Sequence, residues 1–87
     1  MMDPADVIFY PLMTEAASLM VERDNKLIFV VNVKAGKSDV KKAVEELYEV
    51  KVDRITVLIT PQGEKKAFVK LKPEYKASDV AIKLGIL

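Results

Sequence analysis

The sequence contains no cysteine, no histidine and no tryptophan. Without cysteine there is no disulfide, no thiolate metal ligand and no thiol nucleophile, a usage that suits a reducing compartment. Histidine is the commonest general base and metal ligand near neutral pH, so its absence removes both roles. Glycine and proline are scarce, at 3 and 4 of 87 residues, which argues against disorder. The three glycines are scattered and cannot build a phosphate-cradling loop. No segment is dense enough in acids for a carboxylate-only metal site. The apolar run Leu27 to Val31 falls far short of the ~20 residues that span a bilayer. Asp3 and Asp6 stand where a secretory leader wants positive charge. The expectation is a cytoplasmic protein with no membrane insertion, no metal and no cofactor.

What the sequence does have is a core. Hydrophobic residues make up 51% of a chain of single-domain length, so residues 1–87 read as one domain. The net charge of +1 conceals an asymmetry: residues 1–33 hold two bases and five acids, residues 34–87 twelve bases and eight acids. Lys65, Lys66, Lys70 and Lys72 follow one another with no acid between them. A local field of that kind attracts phosphate even when the whole chain is near neutral.

The element pattern is regular. Val7 to Tyr10, closed by Pro11, reads as a short strand. Thr14 suits the N-cap of a helix running to about Glu22, with Glu15 in its first turn and Ala16, Leu19 and Met20 as its apolar positions. Asp24-Asn25 marks a turn. Lys26 to Val33 is apolar on both faces and reads as a central strand covered on each side. Ala35-Gly36 ends it, and Ser38, followed by Asp39, is placed to cap a second helix. Val40, Ala43, Val44, Leu47 and Tyr48 form that helix's apolar stripe, with Lys41, Lys42, Glu45, Glu46 and Glu49 on its wet faces. Val52 to Thr60 and Lys66 to Lys72 alternate as two arms of a hairpin around Pro61-Gln62-Gly63. Ala77, Val80, Ala81 and Leu84 belong to a last short helix stopped by Gly85. The order β-α-β-α-β-β-α predicts an α+β fold: a mostly antiparallel four-stranded sheet with helices packed on its faces.

No constellation in this chain supports catalysis. Ser18, Ser38 and Ser78 lie in helical or capping contexts with no base beside them. Glu45 and Glu49 lie on a wet helix face, which is solvating charge and not an acid–base pair. The expectation is therefore a protein that is not an enzyme. The Lys-rich strand is the better lead: Lys66, Lys70 and Lys72 share a face with Phe68, amines for phosphates beside a ring for stacking. A solvated edge strand defended by lysines against aggregation fits the same residues equally well. Lys34, Lys37, Lys41 and Lys42 surround the start of the second helix, where they either ring a phosphate-binding terminus or serve as plain surface. Glu15, Glu22, Glu45, Glu46 and Glu49 must face away from any bound nucleic acid, because their repulsion is costly.

Five segments, in order, resemble one family. Pro11-Leu12-Met13-Thr14-Glu15 is similar to the Pro-x-x-Thr-Glu-Lys start of the L-twenty-three family of large-subunit ribosomal proteins. Asn25 to Val31 resembles that family's next strand, and Ala35 to Glu45 its second-helix signature. Leu47-Tyr48-Glu49-Val50-Lys51-Val52 and Gly63 to Leu71 complete the match. The short turn Thr60-Pro61-Gln62-Gly63 and the stretch from Ser78 to Leu87 resemble the archaeal form, where bacterial members carry a long tunnel loop. The resemblance implies binding to large-subunit ribosomal RNA near the polypeptide exit tunnel, among neighbouring ribosomal proteins. It also implies docking of the signal recognition particle or other exit-site factors, the family's docking glutamates falling on Glu15 and Glu49. Two positions depart from the pattern: the lysine after Thr-Glu is Ala16, and the third-strand Val-Asn-Thr is Ile55-Thr56-Val57. Thr56 keeps a hydroxyl in place of the amide. The RNA-binding set expected here is Lys34, Lys37, Lys41, Lys42, Thr56, Lys65, Lys66, Phe68 and Lys70. A protein–protein interaction module without RNA is the alternative, favoured by the near-neutral charge.

Overall fold

The computed structural model describes residues 3–85. Its elements are α1 (Pro4–Val7), β1 (Ile8–Pro11), α2 (Glu15–Asp24), β2 (Lys26–Val31), α3 (Lys37–Tyr48), β3 (Val52–Ile59), β4 (Lys65–Leu71) and α4 (Ala77–Leu84). The order β-α-β-α-β-β-α holds, with α1 added in front. That helix is a single turn, started by Pro4 at its first position and ended by the buried Val7. Four residues are too few to show a period, which is why the sequence reads as strand from Val7.

The strands form one sheet in the order β1-β2-β4-β3, every neighbour antiparallel. The hairpin turn is fixed by its own chemistry. Gly63 N–H donates to the Thr60 carbonyl, Glu64 N–H donates to Thr60 Oγ1, and Gly63 takes a positive φ of 87°.

One face of the sheet carries the core. Leu27, Phe29 and Val31 of β2 and Ala67, Val69 and Leu71 of β4 enter a single buried cluster. Every helix reaches it: α1 through Val7, α2 through Val21, α3 through Val40, Ala43 and Val44, α4 through Ala77, Val80 and Ala81. Phe29 is fully buried and stacks on Tyr48, ring centroids 5.7 Å apart. β2 is apolar on both faces as expected, since Ile28 and Val30 are also buried, but these two lie outside the cluster. The helices thus gather on one face of the sheet, not on both.

Several local expectations are corrected. The buried residues of α2 are Ala17 and Val21; Ala16 and Leu19 are exposed and Met20 is only partly covered. α2 packs against β2 and α4, and small Ala17 permits close approach where a larger side chain would hold the elements apart. The N-cap of α3 is Gly36 in place of Ser38, with Asp39 Oδ2 accepting the Gly36 N–H at 2.9 Å. β2 stops at Val31, and Val33 is exposed in the turn beyond it. Leu47, placed on the α3 stripe by its spacing, is exposed. The Thr14 cap is as expected, its Oγ1 accepting the Ala17 N–H.

Asn25 ties three elements together. It ends α2 with φ 56°, in the left-handed region that asparagine tolerates. Its Nδ2 donates to the Leu71 carbonyl at 3.2 Å and the Tyr75 carbonyl at 2.9 Å, and its Oδ1 accepts the Ala77 N–H at 2.7 Å. The end of β4 and the start of α4 therefore hang on one amide.

Candidate nucleic-acid interface

The strand face away from the helices follows from the register. Residues paired in an antiparallel ladder share a face, and successive residues alternate. Lys70 stands opposite Lys26 on one side and Arg54 on the other. In the next row Phe68 stands between Ile28 and Thr56. In the row beyond, Tyr10, Val30, Lys66 and Leu58 cross all four strands. None of these positions is an aspartate or glutamate. Arg54, Thr56, Tyr10 and Leu58 stand toward solvent to differing degrees, and Lys26, Lys66, Phe68 and Lys70 are partly exposed.

The row Lys26–Lys70–Arg54 sets three cations abreast. Like charges directly opposite one another destabilise a sheet. A folding chain gains nothing from this arrangement, whereas an anion lying across the row is attracted by all three charges. Lys66 extends the positive strip toward the hairpin, and Phe68 with the Thr56 hydroxyl sits inside it.

The expected RNA-binding residues separate into groups. Thr56, Lys66, Phe68 and Lys70 come together on the open face. Lys37 and Lys41 line a cleft of about 160 Å³ together with Ser38, Asp53 and Arg54, so α3 meets the same basic strip around the edge of β3. Lys34 is exposed in the loop before α3, its backbone N–H held by Asn32 Oδ1. Lys65 points to the other face of β4 from Lys66, and its Nζ donates to the Ala35 carbonyl at 2.6 Å. That amine fastens β4 to the segment leading into α3. Lys42 lies on the opposite flank of α3, in a cleft of about 450 Å³ shared with Asp3, Asp6, Asp39 and Glu46. Arg54 and Lys26 lie outside the expected set. Neither stands out locally; only the pairing of β2 and β3 with β4 brings them beside Lys70.

The two glutamates singled out by sequence are on separate elements. Glu15 is exposed in the first turn of α2. Glu49 is exposed at the C-terminal cap of α3 with φ 55°, beside a cleft that also holds Glu74, Lys76, Asp79 and Lys83. Glu45 has a different task from the solvation expected of it: its Oε2 accepts the Val52 N–H at 2.9 Å and satisfies the start of β3. Among the described residues, no group of three or more His, Cys, Asp or Glu side chains could hold a metal ion.

Comparison with known proteins adds the identity that geometry alone does not supply. The sequence model described as Ribosomal protein L23 matches residues 6–84. The chain is 51% identical over 85 residues to the large ribosomal subunit protein uL23 of the archaeon Methanococcus aeolicus, spanning 98% of this chain and 99% of that one. The match runs through both arms of the hairpin and all four helices. Proteins of this family are structural components of the cytoplasmic translation machinery, not enzymes. The chain therefore belongs to the ribosomal protein L23 family, in its archaeal form.

Proposed function

We propose that this protein is a structural constituent of the large ribosomal subunit that binds large-subunit ribosomal RNA through the open face of its sheet, beside the polypeptide exit tunnel. The observation that carries the RNA assignment is the cation row Lys26–Lys70–Arg54, three like charges set abreast with no acid in the row, an arrangement that by itself destabilises a sheet. Phosphate contacts from this row, from Lys66 and from Lys37 and Lys41 supply affinity; the contour of the RNA supplies specificity. Lys34 lies at the margin of this surface. Lys65 contributes by holding the sheet to α3, and its reach toward RNA is limited by that bond. Lys42, among carboxylates, is the least suited of the expected set.

The position near the exit tunnel, with neighbouring ribosomal proteins as partners, rests on family membership. So does the docking of the signal recognition particle or another exit-site factor on Glu15 and Glu49. Their exposure on the helical side leaves them accessible while the sheet face is occupied. A basic partner can bind such acids without competing with RNA.

The test is a titration of a large-subunit ribosomal RNA fragment at several salt concentrations. Replacing Arg54, Lys66 and Lys70 with alanine weakens binding and lowers the slope of log K against log salt by about 0.7–0.9 for each phosphate left unneutralised. An unchanged slope contradicts the assignment. Co-sedimentation with large subunits in high salt discriminates this reading from a protein–protein module without RNA, which would stay in the supernatant.

A further inference from the structure

The open face carries two rings that the phosphate contacts do not use. Tyr10 lies on β1, and its hydroxyl donates to Glu64 Oε2 at 3.0 Å. Glu64 immediately precedes β4, so β2 lies between donor and acceptor. The Tyr10 hydroxyl is therefore directed inward from β1 toward the start of β4, and its ladder partner on β2 is Val30. Val30 is only 3% exposed although it lies outside the core cluster that the helices cover. Tyr10 is itself 47% exposed. It is thus tethered at its tip by a hydrogen bond while nearly half of the residue stays open to solvent. Phe68, one row along, is partly exposed between Ile28 and Thr56.

Resting on the RNA-binding reading of the same face, we propose that Tyr10 and Phe68 are a stacking platform for unpaired bases, so that the RNA element taken by this sheet is a loop, bulge or single strand. In a continuous A-form duplex every base face is already covered by its neighbours, and rings on a flat sheet cannot reach them. Splayed bases present free faces, and stacking on an aromatic side chain tolerates any base. The charges fix how the strand lies across the sheet. Glu64 repels phosphate at the Tyr10 end, while Lys66, Lys70 and Arg54 attract it on the other side. One base therefore lies over Tyr10 on β1 and another over Phe68 on β4, with the backbone passing the cations that flank Phe68, Lys66 and Lys70 on its own strand and Arg54 on β3.

The experiment titrates the full chain with two probes. One is a short single-stranded RNA carrying a fluorescent adenine analogue; the other is an RNA duplex of the same composition. Wild type binds the single strand more tightly and quenches the analogue. Tyr10→Leu and Phe68→Leu keep an apolar cover on the sheet, and thermal melts confirm that they fold. Each weakens single-strand binding by about tenfold, abolishes the quench and leaves the salt slope unchanged. Tyr10→Phe retains the ring and keeps most of the affinity. If the leucine variants bind the single strand as wild type does, or if duplex is bound as tightly as single strand, the platform is refuted. The double variant Lys66→Ala with Lys70→Ala separates the two claims. Its losing affinity for both probes preserves RNA binding even if the platform fails; its binding unchanged overturns RNA binding itself.

Discussion

Lys70→Thr should make this protein more stable and less able to bind RNA. Lys70 is the middle cation of its row, with Lys26 and Arg54 directly opposite on the two neighbouring strands. Directly opposed residues hold their Cβ atoms about 5 Å apart, and an unfavourable pair of that kind is worth roughly 0.2–1 kcal/mol. Removing Lys70 relieves two such pairs, and threonine is well suited to a strand. The partial exposure of Lys70 places the gain at the lower end of that range, about 0.5–1 kcal/mol for both pairs together. In a domain of this size that raises Tm by about 3–6 °C. The charges are closer than the Debye length of about 8 Å at physiological ionic strength, so the gain is largest in dilute buffer and fades as salt is added. The assay is thermal unfolding followed by circular dichroism at low and high salt, with RNA titration of the same samples. Affinity falls and the salt slope drops by about 0.7–0.9. A variant that is less stable, with RNA affinity intact, would refute the idea that the row is held for an external anion.

Other outcomes follow from single contacts. Asn25→Ala breaks three hydrogen bonds and forces alanine into the left-handed region, and costs about 3–4 kcal/mol in a urea titration. Asn25→Gly keeps the backbone and costs about 1 kcal/mol less than the alanine variant. Glu45→Ala strands the Val52 N–H and lowers stability by about 1 kcal/mol, whereas Glu46→Ala changes it by less than about 0.5 kcal/mol. The Glu64 hydrogen bond raises the Tyr10 pKa above its ordinary value of 10.0. The folded state then holds that proton more tightly than the unfolded chain. The resulting stability is fully present below pH 10 and is lost as pH climbs through the raised folded value. Ultraviolet titration of tyrosinate in Tyr10→Phe should lose one late-titrating group. Glu15→Ala combined with Glu49→Ala leaves RNA affinity unchanged and weakens binding of a purified signal recognition particle to subunits; equal factor affinity removes the docking claim.

Much of this fold is written locally. The alternation of Ala67, Val69 and Leu71 against Lys66, Phe68 and Lys70 gives both the strand and its buried face, and the structure keeps that division. The α3 stripe is legible for Val40, Ala43 and Val44 because three positions at helical spacing leave one solution. Where the sequence misleads, tertiary packing decides. In α2 the large residues Leu19 and Met20 suggest the inner face, but β2 and α4 leave room only for Ala17 and Val21. One turn of helix before β1 has no period to detect. The site divides in the same way. Lys66, Phe68 and Lys70 are visible as one face of one strand, while Arg54 and Lys26 acquire meaning only through a register that no single segment encodes. The separation of Lys65 from Lys66, and of Lys42 from Lys41, is likewise a matter of which side of an element each occupies. The five family-like segments say nothing about which amines share a surface.

The most direct measurement is a map of protein–RNA cross-links in purified large subunits, read residue by residue. Cross-links at Lys26, Arg54, Lys66, Phe68 and Lys70, and at Lys37 and Lys41 where α3 meets the strip, are the expected result, with α2 and α4 free of RNA contacts. Cross-links confined to α2 and α4, with the strands untouched, would contradict the account.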